Sequence, residues 1–148
     1  MSTVGTGKTR RVSTALDAEG SSVWARRTAA IVELLIGIGA FYGGAELLHD
    51  AEGFGVKEAW LRGSSFSDYT VPALLLLGLG CGMIVAALLA LRDRRPAGFA
   101  ARVMGALLIM FISVETAVIG YHGGSQTVLL VVCGGSGLGL MLLSTRME

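Results

Sequence analysis

The chain has 148 residues, of which 53% are hydrophobic and only 16% are charged, and its net charge is +1. Soluble domains carry about 25% charged residues, and a nearly neutral chain presents no basic field for nucleic acid. The composition therefore excludes a disordered chain, a disulfide-rich scaffold and an ordinary soluble enzyme domain, and it predicts a small integral membrane protein.

The chain begins with a polar segment that is rich in Ser, Thr and Gly. Such a segment buries too little apolar surface to offset the entropy of ordering. We therefore predict a disordered cytoplasmic tail over residues 1–25 and a single membrane domain over residues 26–148.

Four apolar stretches follow the tail. A bilayer core about 30 Å thick requires roughly 20 apolar residues of helix, and the stretches that meet or nearly meet this length are 29–48, 71–91, 103–121 and 127–143. Between the first two, residues 56–62 are expected to form one or two helical turns. Asp68 or Thr70 is expected to cap the second stretch, whose first turn accommodates Pro72. The pattern predicts an all-α fold, a four-helix bundle in the membrane.

Most basic residues flank the four stretches on one side of the predicted membrane. They are Lys8, Arg10, Arg11, Arg26, Arg27, Arg92, Arg94, Arg95, Arg102 and Arg146, whereas the other two loops hold only Lys57 and Arg62. Because cytoplasmic flanks collect Lys and Arg, we predict that the N-terminus and the C-terminus are both cytoplasmic. The expected location is the plasma membrane of a bacterium.

Small residues recur at intervals of four in three of the stretches. Such spacing lets helix backbones approach closely in lipid, where the hydrophobic effect between helices is absent. We expect packing inside the bundle at these positions, and a contact between two copies of the chain is the alternative. The glycines are Gly39, Gly43, Gly78, Gly82, Gly135 and Gly139.

Three glutamates fall within the apolar stretches, where a charge is costly. Glu33 lies near the cytoplasmic edge, so we expect it to reach Arg26, Arg27 or the headgroups. Glu115 is the deepest, and it is expected to be a neutral carboxyl that joins helices by hydrogen bonds. The alternative is a proton or ion site formed by Glu115 with Glu46 and Tyr42.

Each of the first and third stretches also carries a glutamate followed by a histidine. Glu46 precedes His49 by one turn, and Glu115 precedes His122 by two turns. A single metal ion bound by these four residues, or a haem between the two histidines, is a minor alternative. The main expectation is that the chain holds no cofactor and that both histidines bind at headgroup level.

The segment 63–73, with the sequence Gly-Ser-Ser-Phe-Ser-Asp-Tyr-Thr-Val-Pro-Ala, resembles the entry to the second span in a family of small bacterial four-span membrane proteins of uncharacterised function. Ser65 and Ala73 stand where that family has proline and glycine. Glu115 stands at the family's glutamine position, ahead of Ile-Gly-Tyr at 119–121. The resemblance covers residues 30–143 and implies the four-span fold without an activity. It also favours a neutral Glu115.

These observations favour a non-enzymatic membrane protein that acts as a packing or accessory subunit. The expected partners are the lipid bilayer and either further copies of the chain or a larger membrane complex, and no nucleic acid. The alternative is a small proton- or cation-coupled transporter or channel that uses Glu115. Cys81 and Cys133 lie in apolar stretches and are expected to be free thiols.

Overall fold

The apolar stretches fold into four long helices. A computed structural model describes residues 6–53, 56–62, 66–93, 95–121 and 123–147. Its helices are α1 (Thr6–His49), α2 (Thr70–Leu91), α3 (Ala97–Ile119) and α4 (Ser125–Ser144). Within these ranges there is no strand, which confirms the predicted all-helical fold. Each helix contains a stretch that is long and apolar enough to cross a membrane.

The helix boundaries follow from local chemistry. α2 and α4 begin and end within two residues of the predicted spans. α3 begins at Ala97 instead of residue 103, because a helix can continue past a single charged residue such as Arg102 at the membrane edge. α3 ends at Gly120, whose φ of 85° suits glycine. Gly123 and Gly124 also have positive φ, so glycines form the tight link to α4.

The first helix differs from the prediction of a disordered tail over residues 1–25. α1 begins at Thr6 and runs for 44 residues, while residues 1–5 lie outside the described ranges. The polar segment contains no proline, and its Ala, Leu, Lys and Arg residues favour helix. Because the membrane stretch of α1 already supplies a nucleus, extending the helix costs less than starting a new one. The polar composition of this segment therefore indicates that it is not buried, and it does not exclude a helix.

The helices form two antiparallel hairpins. α1 packs mainly against α2, and α3 mainly against α4, with smaller contacts of α2 with α3 and of α1 with α4. Met83, Leu108 and Leu140 are the largest apolar side chains that are fully buried where the hairpins meet. The opposing surface of α1 is made of alanines, among them Ala25 and Ala29. Large side chains of three helices therefore pack against the alanines of α1, together with the partly buried Val32 and Ile36 of the same helix.

Glycines bring the backbones of the first hairpin into contact. A Cβ atom on Gly37 would lie 3.1 Å from the carbonyl oxygen of Gly80, and one on Gly80 would lie 2.9 Å from the carbonyl oxygen of Gly37. Nearer the loop, a Cβ on Gly44 would lie 3.0 Å from the carbonyl oxygen of Ala73. A side chain at Gly80 would therefore force the two backbones apart, and one at Gly37 would require its neighbours to shift by a few tenths of an ångström.

The second hairpin uses the same arrangement. A Cβ atom on Gly105 would lie 2.6 Å from the carbonyl oxygen of Gly137, and one on Gly137 would lie 2.8 Å from the carbonyl oxygen of Gly105. Each hairpin is thus held by a reciprocal pair of glycines that face each other.

The predicted packing glycines are, for the most part, different ones. At Gly39, Gly78, Gly135 and Gly139 an added Cβ atom would meet no atom within 4 Å, so the expected packing inside the bundle is wrong at these four. Gly43 is buried, and a Cβ on Gly82 would lie 2.8 Å from the methyl carbon of Met104. Several overlapping four-residue spacings occur in these helices, and spacing alone does not identify the face that is buried.

The start of α2 is fixed by the loop before it. The N-cap position of α2 is Tyr69, which makes no side-chain capping hydrogen bond. Of the two predicted capping residues, Asp68 acts from one residue earlier, and its carboxylate accepts from the backbone N–H of Thr70 over 2.8 Å. The hydroxyl of Tyr69 donates to the carbonyl oxygen of Lys57 over 2.8 Å. A short 3₁₀-helix, Glu58–Leu61, lies where one or two helical turns were predicted. The loop is therefore attached to the bundle at the entry to α2.

We expect Gly80→Ala to destabilise the protein by about 1–3 kcal/mol, because the added methyl group overpacks two backbones that are already in contact. Gly78→Ala, two residues away in the same helix, is the matched control, since its Cβ enters open space. Thermal unfolding in mild detergent measures both variants. Equal melting temperatures for the two would contradict the glycine contact.

We expect Asp68→Ala to lower the melting temperature at pH 7 by a few degrees. The hydrogen bond from the Thr70 backbone N–H lowers the pKa of the Asp68 carboxyl, so the cap stabilises the fold above the unfolded pKa, which is about 3.9. The stabilisation is lost as the pH falls through the folded-state pKa, and the two proteins then melt together. Asp68→Asn keeps an oxygen acceptor for the cap and is expected to lie between them at pH 7.

Candidate functional site

The most unusual polar group of the bundle is the carboxyl of Glu33. Its side chain has 0% exposure, and neither carboxyl oxygen has a hydrogen-bond partner among the residues that the structure describes. Buried polar groups are nearly always hydrogen-bonded, and an unpaired charge at membrane depth is costly. An orphaned carboxyl in the interior of a membrane bundle is therefore a candidate functional group.

The expectation that Glu33 reaches Arg26, Arg27 or the headgroups is wrong. Glu33 lies on the face of α1 that carries Ala29, Ala30, Gly37 and Ala40, all of which are buried. These residues precede or follow it by three, four or seven positions, so they share one side of a helix. The sequence signal for this site was a glutamate within a stripe of small residues on one helix face. The position of Glu33 near the end of the predicted membrane span indicated an edge residue instead.

The end of the bundle nearest Glu33 carries a polar network, which we call the basic end. It comprises Arg26 of α1, Asp93 after α2, Arg102 of α3, and Ser144 and Met147 at the end of α4. A guanidinium nitrogen of Arg26 forms an ion pair with the Asp93 carboxylate, and another donates to the carbonyl oxygen of Met147 over 3.4 Å. Arg26 thus joins the middle of α1 to the segments that directly follow α2 and α4.

One donor of this network has no partner. Nε of Arg26 is buried and makes no hydrogen bond to any described residue. The side chain of Arg26 is 24% exposed and that of Asp93 is 73% exposed, so their ion pair lies at the surface while Nε faces inward. An unpaired donor and an unpaired carboxyl therefore lie seven residues apart on one face of α1.

A second arginine, Arg102 of α3, belongs to the part of the basic end that the second hairpin forms. Nε of Arg102 donates to the hydroxyl of Ser144 over 3.3 Å, and that hydroxyl donates to the carbonyl oxygen of Met141 over 2.6 Å. Ser144 has 0% exposure. Arg102 therefore holds a polar group of α4 at the inner edge of the basic end.

Glu115 lies at the opposite end of the bundle in a shallower setting. It is half-buried and lines an apolar groove between α2 and α3. The other lining residues are Phe66, Pro72, Leu75, Phe111, Val114 and Val118. Among the described residues, no hydrogen bond joins Glu115 to a neighbouring helix, so its predicted role in joining helices is not observed.

The predicted proton or ion site of Glu115, Glu46 and Tyr42 stays a prediction. Tyr42 is 61% exposed on the outside of α1, and neither Tyr42 nor Glu46 lines the groove that holds Glu115. The metal alternative joins Glu46, His49, Glu115 and His122, of which His122 lies outside the described residues. No three His, Cys, Asp or Glu residues come together as metal ligands in the described ranges.

The fold and its four spans define the class of the protein, which is a small multi-pass membrane protein with an all-helical fold. No family model, no curated protein and no solved structure matches the chain. The resemblance to bacterial four-span proteins and the location in a bacterial plasma membrane therefore stay predictions. Cys81 and Cys133 are both free thiols, as predicted.

We expect Glu33→Met to raise the free energy of unfolding by about 1–3 kcal/mol, because it replaces an unsatisfied buried polar group with an apolar side chain of similar length. Thermal unfolding in mild detergent measures the gain. Glu115→Met is the matched control and is expected to change stability less, since Glu115 is only half-buried. A lower stability of Glu33→Met would mean that the carboxyl has a partner in the folded protein.

Proposed function

We propose that this chain is a non-enzymatic membrane subunit that associates with further copies of itself through α4. The observation that carries the proposal is the exposure of this helix. Only 17% of the residues in its most apolar stretch are buried, against 39% in α3. A spanning helix that contributes so little to its own bundle has most of its surface available for a second protein or for lipid.

The chemistry of the exposed surface favours a protein over lipid. Gly135 and Gly139 are four residues apart and have no neighbouring atom within 4 Å of an added Cβ. Val128, Val131 and Val132 are exposed on the same helix. Paired glycines beside β-branched residues let two helices cross closely in lipid, where van der Waals contact is the main source of affinity.

A second copy of this chain is the partner that we favour. A glycine pair packs best against an equally flat surface, and a two-fold axis brings identical glycine pairs into contact. The same surface in a larger membrane complex is the alternative, in which a different chain supplies the opposing helix.

The transporter hypothesis built on Glu115 ranks second. It is supported by the position of Glu115 in an apolar groove that opens between α2 and α3. It is weakened by the positions of Tyr42 and Glu46, which do not line that groove. Proton- or cation-coupled transport through Glu115 would therefore require an ion-binding site that Glu115 forms without Tyr42 and Glu46.

We expect the double substitution Gly135→Leu, Gly139→Leu to weaken self-association at least about tenfold, or about 1.4 kcal/mol, because the leucines hold the two helices apart. Light scattering after gel filtration in mild detergent gives the mass of the complex, and energy transfer between labelled copies in liposomes gives the affinity. Gly78→Leu, on the open surface of α2, is the matched control and is expected to leave the mass unchanged.

A wild-type protein that stays monomeric at all concentrations in liposomes would contradict self-association. If the chain instead co-purifies with a different protein, and the double substitution releases it, then α4 serves a larger complex.

A further inference from the structure

We propose that Glu33 is a proton-binding site inside the bundle that exchanges its proton with water through the basic end. The two observations behind it are the complete burial of the side chain and the lack of any partner for both carboxyl oxygens among the described residues. The inference does not depend on self-association, because it concerns the interior of one copy.

The proton is the ligand that this setting fits. Binding of Ca²⁺ or Mg²⁺ requires several oxygen ligands around the ion, and the described residues bring no group of three His, Cys, Asp or Glu side chains together. The nearest basic side chain on the same face of α1 is Arg26, whose positive charge opposes the entry of a metal cation. A proton requires no further ligand, and it removes the cost of a buried negative charge.

Helix geometry inclines the side chain of Glu33 toward the basic end. Glu33 follows Arg26 by seven residues, which is about 10.5 Å along a helix axis. Helical side chains lean toward the start of their helix, so the carboxyl of Glu33 is expected near the level of Ala29 and Ala30. Both alanines are fully buried, and Nε of Arg26 is buried without a partner among the described residues.

Every helix contributes a known polar group to this route. α1 supplies Arg26, the end of α2 supplies Asp93, α3 supplies Arg102, and α4 supplies Ser144 and the carbonyl of Met147. Between the level of Glu33 and the basic end, the buried residues of α2 are Ala86, Ala87 and Ala90, which carry no polar side-chain atom. Alanine methyl groups therefore separate Glu33 from the polar groups of the basic end, which is the nearer end of the bundle.

Loss of the proton has a consequence for the basic end. An ionised Glu33 attracts the guanidinium of Arg26, which in the structure is shared by Asp93 and the Met147 carbonyl. Proton occupancy of Glu33 is therefore coupled to the contact that joins α1 to the ends of α2 and α4.

Labelling with a lipid-soluble carbodiimide tests the site, because this reagent reacts with protonated carboxyl groups. Full-length protein in liposomes is labelled at a series of pH values, and the modified residue is identified by mass spectrometry of its peptides. We expect an adduct at Glu33 that decreases about tenfold for each pH unit above its midpoint. Glu33→Gln is expected to lose this adduct, whereas Glu115→Gln retains it.

Two further measurements separate the site from a merely structural carboxyl. Arg26→Gln removes the positive charge that favours the ionised form, so labelling of Glu33 is expected to persist to higher pH. The folded wild-type protein holds a proton that the unfolded chain releases, so its melting temperature is expected to fall as the pH rises. Glu33→Gln is expected to reduce that decrease more than Glu115→Gln does, because Glu115 is only half-buried.

The proposal is overturned if Glu33 forms no adduct at any pH while Glu115 is labelled under the same conditions. It is also overturned if the adduct at Glu33 forms equally at every pH, or if Glu33→Gln keeps the wild-type dependence of melting temperature on pH. These outcomes leave the mass of the complex unaffected, so failure here is distinguishable from failure of self-association.

Discussion

Contact between helix backbones is the interaction on which this fold depends. In lipid, apolar side chains gain little by leaving their surroundings, so helices associate where their backbones come close enough for dispersion to act. Gly37 with Gly80 and Gly105 with Gly137 supply that contact, one reciprocal pair in each hairpin. Because each contact joins two backbones, the helices have little freedom to slide or rotate, and the side chains around them are held at fixed levels. The position of Glu33 follows from this, since it lies one turn before Gly37 on the same face.

The helices themselves were predictable because crossing a bilayer depends on the length and hydropathy of one segment at a time. The face that each helix buries depends on its neighbours, and the sequence offers several choices. In α2, Gly78 and Gly82 are four residues apart and share one side of the helix, whereas Gly80 lies on the other side and faces Gly37. The pair that is separated by four residues, Gly78 and Gly82, was the more conspicuous pattern and led to the wrong face.

The two glutamates show the same limit for the candidate site. Depth along the helix axis can be counted in residues. By that count Glu115 lies deepest in the membrane and Glu33 lies at its edge. Burial also depends on rotation around the axis, which places Glu33 within a closed stripe of alanine and glycine and leaves Glu115 half-exposed in a groove. The periodicity of small residues around Glu33 contained this information, whereas the partners of Arg26, which come from two distant segments of the chain, could not be derived from any local pattern.

The strong contacts of this bundle join helices that are neighbours along the chain, while contacts between the two hairpins are smaller. Local contacts of this kind form quickly, because little chain has to be closed into a loop. During insertion the first hairpin therefore has its complete internal interface once Leu91 has entered the bilayer, before α3 has followed it. The second hairpin assembles in the same way, so biogenesis requires the docking of two finished hairpins and no search among four separate helices.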